Sequence, residues 1–289
     1  MGRSLAAGEA VEIASGELVA KCSPHMGGRL LELSTREGLD VLVPTSPHSF
    51  DVTAWPKAGA YPLIPYHNRI SEACITVGDQ RIALASHPLA SPHTLHGPGH
   101  TRPWLLSSHA ASALSLTMDY AADEDWPWDF RAVQTYRLAD NELKLSLSLE
   151  NLSQAPMPAG LGWHPYFYST EPVQTDAKAV WLHRGDYLPT GERRAVIGEH
   201  TESSKPTRYL ESWSEARIRL TGGGTALVSA STELGFLVVH RGDAHHICVE
   251  PVSHVPDAWN MRFDRAATGA RILGAGERLE GSISVRVHC

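Results

Sequence analysis

The sequence has no unbroken apolar run of 18 residues, and residues 1–19 contain no apolar stretch as long as a secretory signal requires. We therefore expect neither a membrane span nor a signal peptide. The four cysteines show no C-x-x-C spacing, which fits a reduced cytoplasmic protein better than a disulfide framework. Basic residues are also in deficit, since 25 Lys and Arg against 32 Asp and Glu give a formal charge of −7. Nucleic-acid binders usually carry a basic surface, so this class is disfavoured.

Cofactor and metal motifs are missing as well. The chain has no G-x-G-x-x-G followed by a helix, no phosphate-binding G-x-x-x-x-G-K-[ST], no G-x-S-x-G and no H-E-x-x-H. Histidine is abundant, with 16 residues, and His93, His96 and His100 form the tightest cluster along the chain. A zinc site would normally add a cysteine pair or a helical histidine spacing. We predict an activity that uses neither a cofactor nor a metal.

The main pattern in the sequence is an alternation of apolar and polar residues. Residues 143–150 read LKLSLSLE, and residues 114–120 and 283–287 repeat the same period of two. Shorter strand-like pieces lie at 82–84, 218–220 and 236–239. Long helical periodicity is absent, and 19 prolines and 24 glycines are spread over the whole chain. A length of 289 residues allows two domains of about 150 residues, but β-sandwiches of this size often form one. Because no change in composition divides the chain, we predict one large antiparallel β-domain spanning residues 1–289.

Four segments depart from the alternation and concentrate polar, aromatic and proline residues. They are residues 61–69, 95–104, 160–167 and 248–254. Since proline cannot donate a hydrogen bond to a strand ladder, we expect these segments at strand ends or in loops. Such positions are where a rigid scaffold usually presents functional groups.

Each candidate residue in these segments also has an ordinary interpretation. His164 could be a packed core histidine, and Arg69 could be a surface arginine. Glu250 follows an apolar run, so its carboxylate is either exposed at a strand end or held by a partner. Together, however, a histidine, a carboxylate and a guanidinium suit general acid–base chemistry on a neutral polyol.

In their order along the chain, the four segments resemble the aldose 1-epimerases, or galactose mutarotases. Residues 62–70, PLIPYHNRI, are similar to that family's PLxPyxNRI, and residues 95–97 with the following RPW resemble its LHG…W. Residues 160–167, GLGWHPYF, match GxGxHPYF, and residues 250–260 match EPxSHxPxAxN. The early glycine pair at 27–28 and LPTG at 188–191 fit too, so the resemblance covers most of the chain.

The resemblance implies a single large β-sandwich with an open sugar site, and cofactor-free interconversion of the α and β anomers of a free aldose such as galactose or glucose. By motif, His164 is then the general acid on the ring oxygen and Glu250 the general base on the anomeric hydroxyl. Arg69 and His96 are expected to bind and polarise the sugar, with Asn68 supporting the site. The partner is a small sugar rather than a nucleic acid or a membrane, and the protein is expected to be a cytoplasmic monomer or homodimer.

One departure leaves the sugar preference open. Many members carry an aspartate after the PTG turn that holds a sugar hydroxyl, whereas residues 192–196 read ERRAV and Asp186 precedes the turn. Two alternatives therefore stay open: a non-catalytic sugar-binding protein of the same fold, and a hexose-6-phosphate 1-epimerase, for which Arg193 and Arg194 are the nearby basic pair. Flat surfaces for sugar C–H faces could come from Trp104, Trp163 and Tyr166 of these segments and from the separate stretch Trp126-Pro-Trp128.

Overall fold

The structure is a computed structural model and describes residues 4–6, 8–46, 49–196 and 206–289. Within these ranges the chain is almost entirely β. The strands of the first half are β1 Ser4–Ala6, β2 Val11–Ser15, β3 Leu18–Ser23, β4 Arg29–Thr35, β5 Ser49–Asp51, β6 Ala60–Pro62, β7 Cys74–Val77, β8 Gln80–Ala83, β9 Leu105–Ala110, β10 Ala113–Tyr120, β11 Phe130–Ala139 and β12 Glu142–Asn151.

The second half adds as many strands and one short helix. They are β13 Met157–Ala159, β14 Trp163–Tyr168, β15 Gln174–Thr175, β16 Ala179–His183, β17 Pro189–Ala195, β18 Thr207–Glu211, β19 Ala216–Arg219, β20 Thr225–Ala230, β21 Phe236–His240, β22 His246–Val252, α1 Arg265–Thr268, β23 Arg271–Leu273 and β24 Arg278–His288. Single 3₁₀ turns lie at Pro24–Met26, Ser71–Ala73, Pro98–His100 and Thr232–Leu234. No helix of the described ranges is long and apolar enough to cross a membrane.

Two large antiparallel sheets account for most of the described strands. The ten-stranded sheet has the order β17-β16-β18-β21-β22-β14-β6-β4-β3-β2, and the eight-stranded sheet has the order β15-β19-β20-β24-β12-β11-β10-β9. Strands β10 and β11 of the smaller sheet contact β2 and β3 of the larger one. The prediction of an all-β, antiparallel sandwich is therefore confirmed.

The alternating segments become strands because each presents one apolar face to the core. On β12, Leu143, Leu145, Leu147 and Leu149 are buried, while Lys144 points to solvent. Burying one such leucine stabilises the fold by about 1.5–3 kcal/mol. One buried polar group also joins the sheets, since the Gln134 side-chain amide on β11 donates to the carbonyl of Gly28 at 2.9 Å, next to β4. On β10, β11 and β12 the register keeps the buried residues of neighbouring strands opposite one another.

The expectation that the motif segments avoid strand interiors is wrong for two of them. The segment around His164 forms β14 and the segment around Glu250 forms β22, both in the middle of the ten-stranded sheet. The sheet accommodates Pro165 because β14 pairs with β6 only over residues 163–165 and with β22 only over residues 166–168. Proline thus stands where β14 changes partner, at the end of a short ladder rather than inside a long one.

Candidate active site

A cavity of about 290 Å³ opens on one face of the ten-stranded sheet. Strands β14, β21 and β22 form its floor, and the loops around Arg69, His96 and Tyr187 form its walls. Because successive strand residues point to opposite faces, His246, Cys248 and Glu250 of β22 share the face that carries the cavity. The cavity is lined by Trp55, Lys57, Asn68, Arg69, Leu95, His96, His164, Tyr166, Tyr187, Thr207, Val238, His240, Gly242, Asp243, His246 and Glu250. All five residues named from the sequence motifs are among them.

His164 and Glu250 are brought into direct contact at the floor of the cavity. His164 Nε2 lies 3.4 Å from Glu250 Oε1, and both side chains are almost fully buried. The imidazole stacks against the rings of Tyr61 and Tyr166, with ring centroids 4.7 Å and 4.8 Å away. These two tyrosine rings fix the plane of the imidazole, so that its Nε2 edge faces the carboxylate.

Burial shifts the pKa of both partners away from their charged forms. Desolvation raises the pKa of the Glu250 carboxyl well above its usual range, and the Lys57 ammonium lowers it in part. Desolvation also lowers the pKa of the His164 imidazole well below its usual range, and the charge of Lys57 acts in the same direction. Glu250 is consequently a strong base when it is ionised, and His164 is a strong acid when it is protonated.

Two hydrogen bonds, one between backbone groups and one to the His96 ring, join the loop that carries His96 to the loop that carries Asn68. The His96 N–H donates to the Asn68 carbonyl at 2.8 Å, and the Asn68 N–H donates to His96 Nδ1 at 3.0 Å. Both residues have a positive φ of 56°, which their short-range contacts hold in place. Because Nδ1 accepts a hydrogen bond, the neutral ring carries its proton on Nε2. His96 is therefore built as a fixed donor.

The Arg69 side chain is held by an aromatic ring and a neighbouring amide. Its guanidinium lies over the ring of Tyr187, 4.5 Å from the centroid, and its Nη1 donates to Asn68 Oδ1 at 3.4 Å. Tyr187 is fixed in turn, because its carbonyl accepts a hydrogen bond from the Tyr209 hydroxyl at 2.9 Å. Tyr187 directly precedes the LPTG segment and was missed by the sequence analysis, which assigned no role to the residues before that turn.

Lys57 is a second cavity residue that the sequence analysis did not find. Its ammonium lies over the Trp55 indole, 4.4 Å from the ring centroid. The buried Arg29 holds the segment from behind, since its Nη1 donates to the Ala58 carbonyl at 2.6 Å while its guanidinium covers the ring of Tyr61. No motif marks this lysine, because it reaches the site from a loop between β5 and β6.

Asp243 supplies a carboxylate at the rim of the cavity. Its Oδ1 accepts the backbone N–H groups of His245 and His246, and its Oδ2 lies 3.1 Å from His246 Nδ1. About half of the Asp243 side chain remains exposed. The sequence analysis assigned Asp243 no role, and the one signal that could have found it is its position shortly before the segment that contains Glu250.

The other groups of residues considered from the sequence are not assembled in the cavity. His93 Nδ1 accepts the Glu72 N–H, and the rings of His96 and His100 lie 5.9 Å apart in an edge-on arrangement, so the three do not converge on one point. Arg193 and Arg194 lie on the edge strand β17, paired with Glu211 and Glu192, outside the cavity lining. Of the aromatic residues proposed as sugar platforms, Tyr166 lines the cavity. The four tryptophans are buried and are not part of the cavity lining: Trp104, Trp126, Trp128 and Trp163.

The described residues contain one group of three side chains whose ligand atoms could meet at a metal ion. It consists of His164, Cys248 and Glu250, all buried, with ligand atoms within 4.8 Å of one another. The sequence analysis passed over Cys248, because it searched for cysteine pairs and histidine runs along the chain rather than across strands.

Comparison with known proteins agrees with this fold. The aldose 1-epimerase family matches residues 9–284. The uncharacterized protein YphB of Escherichia coli K12 is 28% identical over 252 residues, which cover 80% of this chain and 84% of YphB. A galactose mutarotase-like protein from Clostridium acetobutylicum superposes with a TM-score of 0.85 at 22% identity, over 96% of this chain and 94% of that protein. An aldose epimerase homologue from C. elegans has a TM-score of 0.80 at 18% identity, over 98% and 99% of the two chains.

The fold and the site thus define a β-sandwich protein with an open cavity on its larger sheet. With a family match over nearly its whole length, the chain belongs to the aldose 1-epimerase family. The resemblance found in the four sequence segments is confirmed.

Proposed function

We propose that this protein is an aldose 1-epimerase that interconverts the α and β anomers of a free aldose such as galactose or glucose. The observation that carries this proposal is the contact of 3.4 Å between His164 Nε2 and Glu250 Oε1 on the floor of an open polar cavity. Arg69 and His96 add fixed donors on the cavity wall. The chemistry requires no cofactor, because the protein only has to transfer protons and the sugar undergoes no net oxidation or reduction.

The reaction follows from the proton balance of this pair. Glu250 removes the proton of the anomeric hydroxyl while His164 delivers a proton to the ring oxygen, and the C1–O5 bond breaks to give the open-chain aldehyde. Rotation about C1–C2 presents the other face of the carbonyl. Ring closure then returns each proton to its donor, so that the pair is reset in every turnover. Each positioned acid or base typically contributes about 10²–10⁴-fold to the rate.

The burial of the pair supports this cycle. With the sugar closed, the active pair is an ionised Glu250 and a protonated His164, and with the sugar open both groups are neutral. Desolvation raises the pKa of Glu250 and lowers that of His164, so it favours the neutral pair and with it the ring-opened sugar. The two groups share one proton, which belongs to the pair rather than to either residue.

His96 and Arg69 are suited to donate hydrogen bonds to the sugar oxygens whose charge changes during ring opening. His96 presents Nε2–H, because its Nδ1 accepts the Asn68 N–H. Arg69 presents a permanently charged planar fork that is held over Tyr187. A protein that only binds sugar would have no use for a buried carboxylate and imidazole in contact, since neutral hydrogen-bonding groups bind hydroxyls without the desolvation cost.

A second candidate is an epimerase for a hexose 6-phosphate, and Lys57 is the observation that favours it. The arginine pair expected for the phosphate, Arg193 and Arg194, lies outside the cavity lining. The Lys57 ammonium lines the cavity instead, where it lies over the Trp55 ring. A substrate anion could therefore pair with it.

Polarimetry on freshly dissolved α anomers tests both candidates. The panel is glucose, galactose, arabinose and glucose 6-phosphate, each followed with protein, without protein and after EDTA treatment. We expect faster mutarotation of at least one free aldose, unaffected by EDTA. A rate increase confined to glucose 6-phosphate and lost in Lys57→Met would favour the second candidate, and no acceleration with any sugar would contradict both.

A further inference from the structure

We propose that His164, Cys248 and Glu250 form a binding site for Zn²⁺, and that the bound ion blocks the active site. The metal is an inhibitor here and takes no part in turnover. Binding itself is independent of the function proposed above, whereas inhibition rests on it, because two of the three ligands are the proposed acid and base.

The strand register brings the three ligands together. Cys248 and Glu250 are two residues apart on β22 and therefore point to the same face of the sheet. Cys248 stands opposite Tyr166 on the neighbouring β14, which places His164, two residues earlier, diagonally across. All three side chains are buried, and their ligand atoms lie within 4.8 Å of one another.

These distances are close to those of a coordinated ion. Two ligand atoms about 2.1 Å from a tetrahedral zinc lie about 3.4 Å apart. His164 Nε2 and Glu250 Oε1 are 3.4 Å apart. The Cys248 sulfur lies within 4.8 Å of both of these atoms. A thiolate, an imidazole and a carboxylate are the three ligand types that Zn²⁺ takes from proteins.

Charge and access also fit a doubly charged ion. A thiolate and a carboxylate balance the two positive charges, and the protons they release on binding go to solvent. Glu250 and His164 line the cavity, so the ion enters by the route that the sugar uses and its fourth position faces the open space.

Two features limit the affinity. His164 Nδ1 is buried and has no hydrogen-bond partner among the described residues, whereas metal-bound histidines usually donate this N–H to a fixed acceptor. Losing such a partner typically costs about 10–100-fold in affinity. The Lys57 ammonium, which lines the same cavity, repels a cation as well. These features suit a reversible inhibitory site rather than a resident metal centre.

A bound zinc ion would stop catalysis because it occupies the lone pairs of His164 and Glu250 that accept protons. The same nitrogen and oxygen that exchange protons with the sugar would be bound to the ion. Zinc and sugar should then compete, so that a higher sugar concentration relieves inhibition by Zn²⁺.

Cobalt absorption tests the binding without any need for activity. Co²⁺ is used as the probe because its bond to a thiolate gives a near-ultraviolet charge-transfer band. The parent is a Cys74→Ser/Cys289→Ser protein, which removes the half-buried and the exposed thiol. We expect one equivalent of Co²⁺ to produce the band, Cys248→Ser and Cys248→Ala to abolish it, and Cys22→Ser to keep it. Cys22 is the matched control, because it is equally buried but lies away from the site, with its thiol directed at the Gly28 carbonyl.

Inhibition is then measured by polarimetry with added ZnCl₂. We expect Zn²⁺ to inhibit the parent and Cys22→Ser, and EDTA to restore the rate. Relative to its own rate without zinc, Cys248→Ala should be at least about tenfold less sensitive to Zn²⁺, since a ligand is lost. A cobalt band that persists in both Cys248 variants, or its absence in the folded parent, would overturn the proposal. A band without sugar turnover in the parent would contradict the proposed function and leave the metal site standing.

Discussion

Single residues in the cavity differ in how firmly they are held, and this decides what each can do. Arg69 lies over Tyr187 and is bonded to Asn68, so its guanidinium has one orientation. Asp243 is half exposed and keeps one carboxylate oxygen beside His246. The first residue is suited to orienting a substrate, and the second to accepting hydrogen bonds from hydroxyls that reach the rim.

Arg69→Lys should lower kcat/KM by at least about tenfold, because a point charge on a flexible stem cannot replace a planar fork stacked on a ring. Steady-state polarimetry measures this, with Arg219→Lys on the exposed face of β19 as the matched control. Full activity in Arg69→Lys would reduce Arg69 to a generic positive charge.

Asp243→Asn should raise KM by about 10–100-fold and leave kcat within a few fold, since a hydrogen bond to a charged acceptor is worth about 1.5–3 kcal/mol. The aspartate that many members carry after the PTG turn is missing here, and Asp243 offers a carboxylate from another loop. Asp79→Asn, in the exposed turn between β7 and β8, is the control. An unchanged KM would show that Asp243 serves only its own hairpin.

The two residues proposed as the acid–base pair could be located from the sequence, and their neighbours in the cavity could not. His164 and Glu250 stand inside long motifs, so a resemblance of order and spacing was enough. Lys57 and Tyr187 reach the cavity from loops whose local sequence has no pattern of its own. Their position depends on tertiary contacts, such as the hydrogen bond from Arg29 to the Ala58 carbonyl, which no short stretch of sequence encodes.

Among the elements, the loop of residues 94–100 depends on close backbone approach. The Gly97 N–H donates to the Tyr66 carbonyl at 3.0 Å, and a Cβ on Gly97 would lie 2.3 Å from the Ile64 carbonyl oxygen. Gly97 is therefore required by space rather than by φ, which explains why a glycine follows His96 in this motif.

Gly97→Ala should destabilise the protein by about 1–3 kcal/mol, the usual cost of overpacking, and should also lower activity because His96 must shift. Urea unfolding and polarimetry measure the two effects. Gly185→Ala is the matched control, since a Cβ there meets nothing within 4 Å and φ is not positive. Equal stability of the two variants would contradict the close packing of this loop.

Strand identity was more predictable than strand position. The alternating residues of β10, β12 and β24 were found directly, because a half-buried strand shows its two faces in the sequence. Strands β14 and β22 are buried over nearly their whole length and contain Pro165 and Pro251, so their sequence lacks the alternation and reads as loop. Which strand lies beside which depends on long-range pairing that composition does not reveal.

At the scale of the whole molecule, buried histidines should make stability depend on pH. Burial lowers the pKa of His254 to about 4, and it lowers the pKa values of His67 and His100 well below the ordinary value of 6.5. In the unfolded chain these groups bind protons below pH 6.5, whereas in the folded protein they do not until the pH is much lower. Stability should therefore fall as the pH drops from 6.5 towards 4.

Urea unfolding at pH 7 and pH 5 measures this effect. For His254 alone, the free energy of unfolding should fall by about 3 kcal/mol in total, since one pKa unit corresponds to about 1.4 kcal/mol. This decrease is complete only when the pH is below the pKa of His254 in the folded protein. Glu250 acts in the opposite direction, because its raised pKa makes the folded state bind a proton first, but it is a single group against several histidines. A free energy of unfolding that is equal at both pH values would contradict the buried, neutral state of these histidines.

The central claim is that Glu250 and His164 act as one acid–base unit, and polarimetry of Glu250→Gln, His164→Asn and the double variant tests it most directly. With a sugar that the parent turns over, each single variant should lower kcat by at least about a hundredfold. The double variant should cost little more than either one, because a pair that shares a proton fails when either partner is lost. Circular dichroism confirms that the variants are folded. Near-parental kcat in either single variant would contradict the account.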